Sequence, residues 1–475
     1  MWPTGWGLPL HFPIPMAIKF YFNRNTWAKI FSVSRVSDKL NEPVDAASLA
    51  FFRITFGVIM LLSQLRFLQK GWVDELYVKP QFFFKYYGFH WVKALPGNWI
   101  YIPWVAMIIC LVLVIIGKYY RAAIITFFVL FSYTELLDLT NYLNHYYLIT
   151  LLSFLLIFLP MNVSFSLDAK RWKQPATVPR WTVAVLRLQI GLVYFFAGLS
   201  KIKYDWLVCA EPLKIWLGAC QNIPVTGKWL AMPITAYAFS WIGMCFDLTA
   251  PFLLLNKKTR PYEYIIIVVF HLITCWLFYI GVFPLVMAGA ALIFFSPAFH
   301  RNILEKIFPL PSEKHAKASG NFSFSANKKA CIIFFALYFL WQGLMPLRHL
   351  LYEGNVLWTE QGFRYSWNVM LMEKDGYAEF YAEDQLTGER YIEYPKKYLT
   401  PLQEKMMSTQ PDMILQYGRF LAAQYRDKLR HPVAVYVDSY VSLNQKEGQT
   451  FIDPNADLSK EEDSFAGKKW ILPEN

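Results

Sequence analysis

The sequence predicts a mainly α, polytopic helical membrane protein of about nine spans, followed by a small C-terminal α+β domain outside the membrane. The composition is the first indication, because 56% of the 475 residues are hydrophobic and only 17% are charged, whereas soluble proteins carry roughly 25% charge. The second is a series of apolar runs, each of about 17 to 22 residues, between residues 46 and 347. The third is a change after residue 351 to the mixed pattern of a soluble module.

Residues 1–45 are predicted to form an amphipathic segment that lies on the membrane surface. Apolar and aromatic side chains alternate loosely with basic ones over Met16–Val33, a pattern typical of interfacial helices. Prolines interrupt every short apolar run that precedes it, which argues against a cleavable signal peptide. They are Pro3, Pro9, Pro13 and Pro15.

Residues 46–350 are predicted to form the transmembrane domain. Its apolar runs are separated by short polar or basic connections, as in other polytopic proteins. The nine predicted spans are 46–66, 99–117, 122–138, 146–160, 181–200, 233–255, 262–280, 282–297 and 329–347.

Basic residues concentrate in alternate connections, so the net charge of +12 indicates membrane topology rather than a nucleic-acid partner. The positive-inside rule places these connections and the N-terminus in the cytoplasm. An odd number of spans then places residues 351–475 on the extracytoplasmic side, in a bacterial periplasm or in the lumen of the endoplasmic reticulum. Loop 67–98 has four lysines on the outer side, and its many aromatic residues favour an interfacial or re-entrant segment.

The C-terminal domain, 351–475, combines strand and helix patterns. Tyr377–Tyr381 and Glu389–Tyr394, joined by a polar turn, predict a β-hairpin. Pro411–Arg430 has the period of an amphipathic helix, and Val433–Leu443 has the alternation of a strand. These elements predict a small α+β module on the outer membrane face.

Lys201 directly follows the fifth span and is the first candidate for chemistry. A lysine at a span end usually extends along lipid so that its charge reaches the headgroups. Burial instead favours the neutral amine, which can act as a base. The predicted topology places Lys201 outside, where the positive-inside rule gives no reason for a cation, and this favours the functional interpretation. An aromatic collar surrounds it in the sequence: Tyr194, Phe195, Phe196, Tyr204 and Trp206.

Four more polar residues lie in the spans or at their ends. Asn144 and His145 precede the fourth span, Arg187 lies in the fifth and His271 in the seventh. A histidine on an apolar helix is usually structural, and Arg187 is as well suited to pairing with Asp247 as to contacting a ligand. With the lysine amine they predict a mostly apolar chamber for a lipophilic ligand with a polar head, such as a quinone or a lipid.

The six cysteines show no spacing typical of a metal site, and no metal is predicted. Cys209 and Cys220 are the two that fall in a predicted outer connection, where an oxidising compartment permits a disulfide. A helix over Trp206–Leu217 would hold the two sulfurs too far apart. The sequence therefore leaves this bridge open.

Several motifs stand in a characteristic order along the chain. They are NEPVDAASLAFFR at 41–53, NHYYL at 144–148, LRLQI at 186–190, YFFAG at 194–198, FH at 270–271, YSWN at 365–368 and FIDP at 451–454. In order and spacing, from about residue 38 to residue 458, they resemble the vitamin K-dependent γ-glutamyl carboxylase family. The resemblance is to a compact, bacterial type of member.

The resemblance implies an integral-membrane enzyme that uses reduced vitamin K (a hydroquinone, with a menaquinol as one form), O2 and CO2. A lysine corresponding to Lys201 deprotonates the hydroquinone, and oxygen converts the quinone into a much stronger base. That base removes a γ-proton from a glutamate of a protein or peptide, and CO2 adds to the carbanion. Vitamin K epoxide is the other product.

The resemblance also implies two sets of binding residues. The quinone-binding set is Asn144, His145, Arg187 and His271. The glutamate-binding set is Tyr365, Trp367 and Met370.

Two positions depart from the family pattern. Ser200 stands where the family has a second lysine, and Thr274 stands where animal members have an asparagine. Three readings therefore stay open: a carboxylase coupled to epoxidation, a quinone epoxidase without carboxylation, and a non-catalytic protein that binds a quinone or lipid.

Overall fold

The computed structural model describes residues 38–172, 177–278, 280–308 and 328–474. Most of the interfacial segment predicted for residues 1–45 lies outside these residues. From Pro43 onward the described chain forms one compact unit. Its first element, β1 (Pro43–Asp45), pairs antiparallel with β2 (Thr177–Pro179), immediately before a long helix.

Helices, most of them apolar, make up most of this unit. In chain order they are α1 (Ala47–Gln69), α2 (Ile102–Ile116), α3 (Tyr120–Leu137), α4 (Asn144–Phe158), α5 (Leu167–Trp172), α6 (Arg180–Ser200), α7 (Tyr204–Leu207), α8 (Leu213–Ala219), α9 (Gly227–Leu230), α10 (Pro233–Leu255), α11 (Arg260–Leu277), α12 (Phe283–Ala291), α13 (Pro297–Ile307) and α14 (Lys328–Leu344). Short 3-10 helices extend three of them: Gly97–Tyr101 before α2, Leu292–Phe294 after α12 and Met345–Leu351 after α14.

The predicted fold class is confirmed. Within the described residues, seven helical segments are long and apolar enough to cross a membrane, or eight if a bent pair counts as one span. The bent pair is Phe283–Phe294 with Pro297–Ile307, which meet at 116°. Seven of the nine predicted spans correspond to the long segments.

The other two predicted spans, 146–160 and 282–297, are shorter helices than expected. Helix α4 has 15 residues and is therefore about 22 Å long, against a hydrocarbon core of about 30 Å. The second span ends early because Ser296 caps a new helix, accepting a hydrogen bond from the Phe299 nitrogen at 3.3 Å. Pro297 follows at the first helical position, so the chain turns and α13 begins there.

Helices α6 and α10 approach closely because Gly198 has no side chain. A Cβ built on Gly198 would lie 2.6 Å from the backbone nitrogen of Leu248, closer than non-bonded atoms approach. Asp247 directly precedes Leu248, and Lys201 follows Gly198 by about one helical turn. The glycine therefore brings these two side chains within reach of each other.

The C-terminal region, residues 352–474, contains the predicted hairpin, helix and strand. Its antiparallel sheet has the order β4 (Arg390–Glu393), β3 (Lys374–Asp384), β5 (Val433–Leu443), β6 (Gln449–Thr450). The helices are α15 (Val356–Thr359), α16 (Pro401–Met407) and α17 (Pro411–Leu429). Helix α17 packs on the sheet, where the rings of Tyr417 and Phe380 lie 4.9 Å apart.

The loop predicted as interfacial or re-entrant, 67–98, packs against the C-terminal region. Lys85 and Gln416 exchange two hydrogen bonds of 2.8 Å between the loop backbone and the glutamine amide. The ring of Phe82 lies 4.8 Å from that of Phe420. The ammonium of Lys85 donates to the carbonyl oxygens of Val92 and Leu137, so this lysine has a structural role that charge counting could not reveal.

Cys209 and Cys220 are both free thiols. The disulfide that the sequence left open is not formed. Helices α7 and α8 occupy much of the connection, as expected from the helical alternative.

Candidate active site

Lys201 and Asp247 form a buried pair at the centre of the candidate site. The Lys201 Nζ lies 2.8 Å from Asp247 Oδ2, and the two side chains are only 7% and 10% exposed. Nζ also donates to the carbonyl oxygen of Ala197 at 3.2 Å and lies 5.5 Å from the ring centroid of Trp206. The amine is therefore buried in protein and does not extend to the lipid surface.

The end of α6 and the short helix α7 position this pair. The backbone N–H of Lys201 bonds to the carbonyl oxygen of Gly198 at 3.1 Å and closes the helix. The chain then turns into α7, where the Trp206 indole donates to the Ser240 carbonyl oxygen at 2.9 Å. This bond fixes the tryptophan against α10, beside the lysine.

A cavity adjoins the pair, with about 720 Å³ of space not filled by protein atoms, part of it open. Its walls come from α6, α10, α11 and α12, from the segment 206–213, and from residues 369–370. Most wall residues are apolar or aromatic. The exceptions that matter for chemistry are Lys201, Asp247, His271, Thr274 and Tyr194.

His271 lies in the cavity wall with one imidazole nitrogen unpaired. Its Nε2 is 3.3 Å from the Tyr194 hydroxyl, whereas its Nδ1 is buried without a hydrogen-bond partner. Buried polar atoms are almost always paired in folded proteins. The unpaired nitrogen is therefore an unusual feature of this wall.

His145 lies next to the cavity wall rather than in it. The rings of His145 and His271 both contact the ring of Phe283, at centroid distances of 6.0 and 5.8 Å. Gly281, with φ of +64°, passes beside His145, and a Cβ there would be 3.5 Å from Nε2. The structure thus brings the two predicted histidines to one wall residue.

Asn144 holds the segment 365–370 instead of lining the cavity. Its Nδ2 donates to the backbone oxygen of Asn368 at 3.1 Å. Ser200 Oγ lies 3.1 Å from the Trp367 carbonyl oxygen, and the Tyr365 nitrogen donates to the Tyr142 hydroxyl at 2.8 Å. Asn144, Ser200 and Tyr142 therefore fix the predicted glutamate-binding segment against the membrane helices.

That segment has a strained backbone. Tyr365, Trp367 and Met370 have φ values of +64°, +56° and +55°, a region that bulky residues avoid at a cost of about 1 to 3 kcal/mol each. Met370 lines the cavity, and Trp367 is buried against Tyr147, with ring centroids 5.1 Å apart. Strain of this kind is concentrated at functional sites.

Arg187 does not line the cavity and does not pair with Asp247. Its guanidinium donates to three backbone oxygens, those of Ile293, Phe294 and Phe295, at 3.0 to 3.3 Å. These carbonyls lie where α12 ends and the chain turns into α13. The surroundings of Arg187 are those of a structural residue.

The sequence missed the carboxylate that faces Lys201. Asp247 was visible as an acid within a span, but the partner suggested for it was Arg187. The aromatic collar is also only partly as expected, since Tyr194 and Trp206 line the cavity and Tyr204 is exposed. The sequence showed a buried acid in one span and a lysine at the end of another. It did not show that α6 and α10 pack closely enough for the two side chains to pair.

Both departures from the family pattern lie at this site. Ser200 contacts the Trp367 carbonyl oxygen, as described above. Thr274 lines the cavity, and its hydroxyl donates to the His271 carbonyl oxygen at 3.1 Å.

The fold and the cavity define a polytopic membrane protein with a partly open, mostly apolar cavity beside a buried amine–carboxylate pair. Two family models match the chain: HTTM domain over residues 41–299, and vitamin K-dependent gamma-carboxylase, lumenal domain, over residues 327–475. No solved structure matches it. The chain belongs to the vitamin K-dependent gamma-carboxylase family.

Proposed function

We propose that this protein is a vitamin K hydroquinone-dependent γ-glutamyl carboxylase that forms vitamin K epoxide in the same cycle. The observation that carries the proposal is the Lys201–Asp247 pair in the wall of an apolar cavity. A protein that only binds a quinone or lipid has no need of a buried amine, because burying a charged pair costs several kcal/mol per ion.

The hydrogen bonds of Lys201 are suited to a base. A neutral amine has two N–H groups and one lone pair. Asp247 Oδ2 and the Ala197 carbonyl oxygen take two of the tetrahedral positions around Nζ, so the third remains for the lone pair and a ligand. After Nζ accepts a proton, the Asp247 carboxylate stabilises the ammonium group that forms. Asp247 is thus a positioning residue for Lys201.

The cavity also suits a hydroquinone. Its walls are mostly apolar, as a quinone ring and tail require, and the unpaired His271 Nδ1 is available to a ring oxygen. We assign His145 and Asn144 to the layer behind this wall, where they hold Phe283 and residue 368 in place. When bound, the reduced quinone supplies with O2 the strong base that the side chains lack. The protein's residues bind and orient it, accept its first proton at Nζ and exclude water.

The glutamate enters from the side of residues 365–370. Met370 reaches the cavity, and Tyr365 and Trp367 hold the segment in its strained form. Asn368 is buried, and neither its Nδ2 nor its Oδ1 has a hydrogen-bond partner. An amide with a free donor and a free acceptor suits a carboxyl group or the peptide backbone beside it.

The site and the C-terminal region lie on the extracytoplasmic side in this proposal. The basic connections support that orientation, and so does the lumenal description of the family model that matches residues 327–475. The partners are then the bilayer, a lipophilic quinone and a glutamate-containing protein or peptide.

The test is a reaction of the purified protein in lipid nanodiscs with reduced vitamin K, O2, labelled CO2 and a glutamyl peptide. We expect both epoxide and labelled carboxylate, each absent without O2. Epoxide without carboxylate would identify an epoxidase alone. Neither product, with quinone bound, would identify a binding protein and refute the proposal.

A further inference from the structure

Three basic side chains gather beside the segment 365–370. Lys203 precedes α7, and Arg348 and His349 lie in the 3-10 helix that ends the last apolar helix. The Arg348 Cζ is 5.5 Å from the ring centroid of Tyr365. His349 lies against Gly362, where a Cβ would come within 2.7 Å of the His349 Cα. The cluster therefore touches the same stretch of chain that leads into the glutamate-binding residues.

Among the described residues, no carboxylate forms a salt bridge with any of these three side chains. The Arg348 Nη1 is buried without a hydrogen-bond partner. His349 uses Nδ1 on the Pro346 carbonyl oxygen at 2.9 Å, which leaves Nε2 free. Burial, and then the charges of Lys203 and Arg348, lower the pKa of His349, so its ring is neutral at neutral pH. Lys203 and Arg348 are like charges without a counter-charge of their own, and an anion relieves their repulsion.

Lys203 is partly buried, and the carboxylate that acts on it has other partners. Burial lowers the pKa of Lys203 to about 8, and Asp205 acts in the opposite direction. Asp205 is itself engaged by the Asn444 amide at 3.3 Å and the Lys446 ammonium at 3.4 Å. Its charge is therefore shared, and the cluster lacks a counter-ion of its own.

We propose that Arg348 and Lys203 bind a carboxylate of an acidic peptide, adjacent to the reacting glutamate, with His349 as the neutral residue between them and Gly362. This inference rests on the proposed function. The guanidinium fork of arginine matches a carboxylate in geometry and charge. The site selects substrates in which a second acidic residue follows or precedes the glutamate that enters the cavity.

An anionic lipid headgroup is the competing ligand, and the geometry favours the peptide. The side chains next to the cluster, Ile202, Leu350 and Leu351, are exposed, as lipid-facing residues are. Arg348 points the other way, with its ring contact on Tyr365 and its Nη1 buried in the protein. A cation that served a headgroup would extend towards the interface instead.

The test compares two labelled peptides that differ at one position, Glu-Glu against Glu-Gln, in nanodiscs without anionic lipid. Binding is measured by fluorescence anisotropy, and carboxylation by KM with saturating reduced quinone. The wild type should prefer the diacid about tenfold, the effect of a hydrogen-bonded charge. Arg348→Gln should lose most of that preference, Lys203→Gln should lose part of it, and Arg348→Lys should retain part. Lys228→Gln, an exposed lysine of α9, is the matched control and should keep the preference.

Equal affinity of the wild type for both peptides overturns the inference. So does a preference that survives Arg348→Gln with Lys203→Gln combined. Binding of phosphatidylglycerol vesicles that falls in Arg348→Gln, with the peptide preference intact, would assign the cluster to a lipid headgroup. Failure of the proposed function can be told apart from failure of this inference. In the first case the wild type forms no epoxide, but the anisotropy measurement still shows whether the cluster prefers the diacid peptide.

Discussion

Arg187, which is half-buried two turns into helix α6, and Lys201, which is buried at the end of that helix, are two cations with different surroundings. Arg187 donates to three backbone oxygens in a packed turn, whereas Lys201 shares a cavity wall with a carboxylate. Arg187 uses its Nε and Nη2 on these carbonyl oxygens and does not line the cavity. Lys201 keeps one tetrahedral position of Nζ open to the cavity. The comparison teaches that burial of a cation in a span does not reveal its role, whereas its partners and the adjoining space do.

The largest expected effect is that of Lys201→Ala on epoxide formation. Removing a general base costs about 10² to 10⁴ in rate, so we expect a loss of about 10³-fold. A small added amine should restore part of the activity, because a proton acceptor can be supplied from solution. Epoxide is measured by chromatography at several amine concentrations.

The control for Lys201→Ala is the double variant Lys201→Ala with Asp247→Asn. The single variant leaves Asp247 buried without its partner, which destabilises the protein by about 3 to 5 kcal/mol. The double variant removes that charge and should regain melting temperature but not epoxide formation. Wild-type turnover in either variant would show that the amine is only structural.

Asp247→Asn should have the next largest effect, about 10- to 100-fold on the maximal rate. Asparagine keeps the size and a hydrogen-bond acceptor but no longer stabilises the ammonium group with a charge. Asp247→Glu, which keeps the charge, is the matched comparison and should retain more activity than Asp247→Asn. A loss in Asp247→Glu as large as that in Asp247→Asn would contradict a role of the Asp247 charge.

Arg187→Gln tests the structural role of the other cation in this comparison. Leaving carbonyl oxygens unpaired costs about 1 to 3 kcal/mol each, so we expect a clear drop in melting temperature and yield. Epoxide formation per folded molecule should fall by less than tenfold. The opposite result, an unchanged melting temperature with a large loss of quinone affinity, would restore Arg187 to the quinone-binding set.

The smallest effect is expected for Gly198→Ala, which tests how the pair is brought together. The added methyl group would meet the Leu248 backbone at 2.6 Å, so the helices must separate, at a cost of about 1 to 3 kcal/mol. Epoxide formation should fall several-fold as Nζ and Asp247 move apart. Gly191→Ala is the matched control, because its Cβ would be 3.4 Å from Pro251. Similar losses in both would refute a special role for the Gly198 contact.

Local sequence signals determined the fold class and the candidate residues. The length and polarity of a run decide whether it can cross a membrane, and period decides between helix and strand. Hence seven long spans, the hairpin, helix α17 and strand β5 were predicted correctly. The same signals failed at 282–297, where a serine cap and a proline turn the chain without interrupting its apolar composition. Motifs then indicated the family, and through it Lys201, His145 and His271.

Tertiary structure alone decided what each of these residues contacts. The partner of Lys201 lies on another helix, and a glycine contact sets their distance. Span patterns carry no such information. From the sequence, Arg187 was a possible partner of Asp247. In the folded protein Arg187 instead bonds to three backbone carbonyl oxygens, and Asp247 pairs with Lys201. Likewise, Lys203 is far in the chain from Arg348 and His349. Only folding brings its charge within range of His349, with Arg348 on Tyr365 and His349 on Gly362. Charge and burial are properties of the assembled site, because each depends on every element that surrounds it.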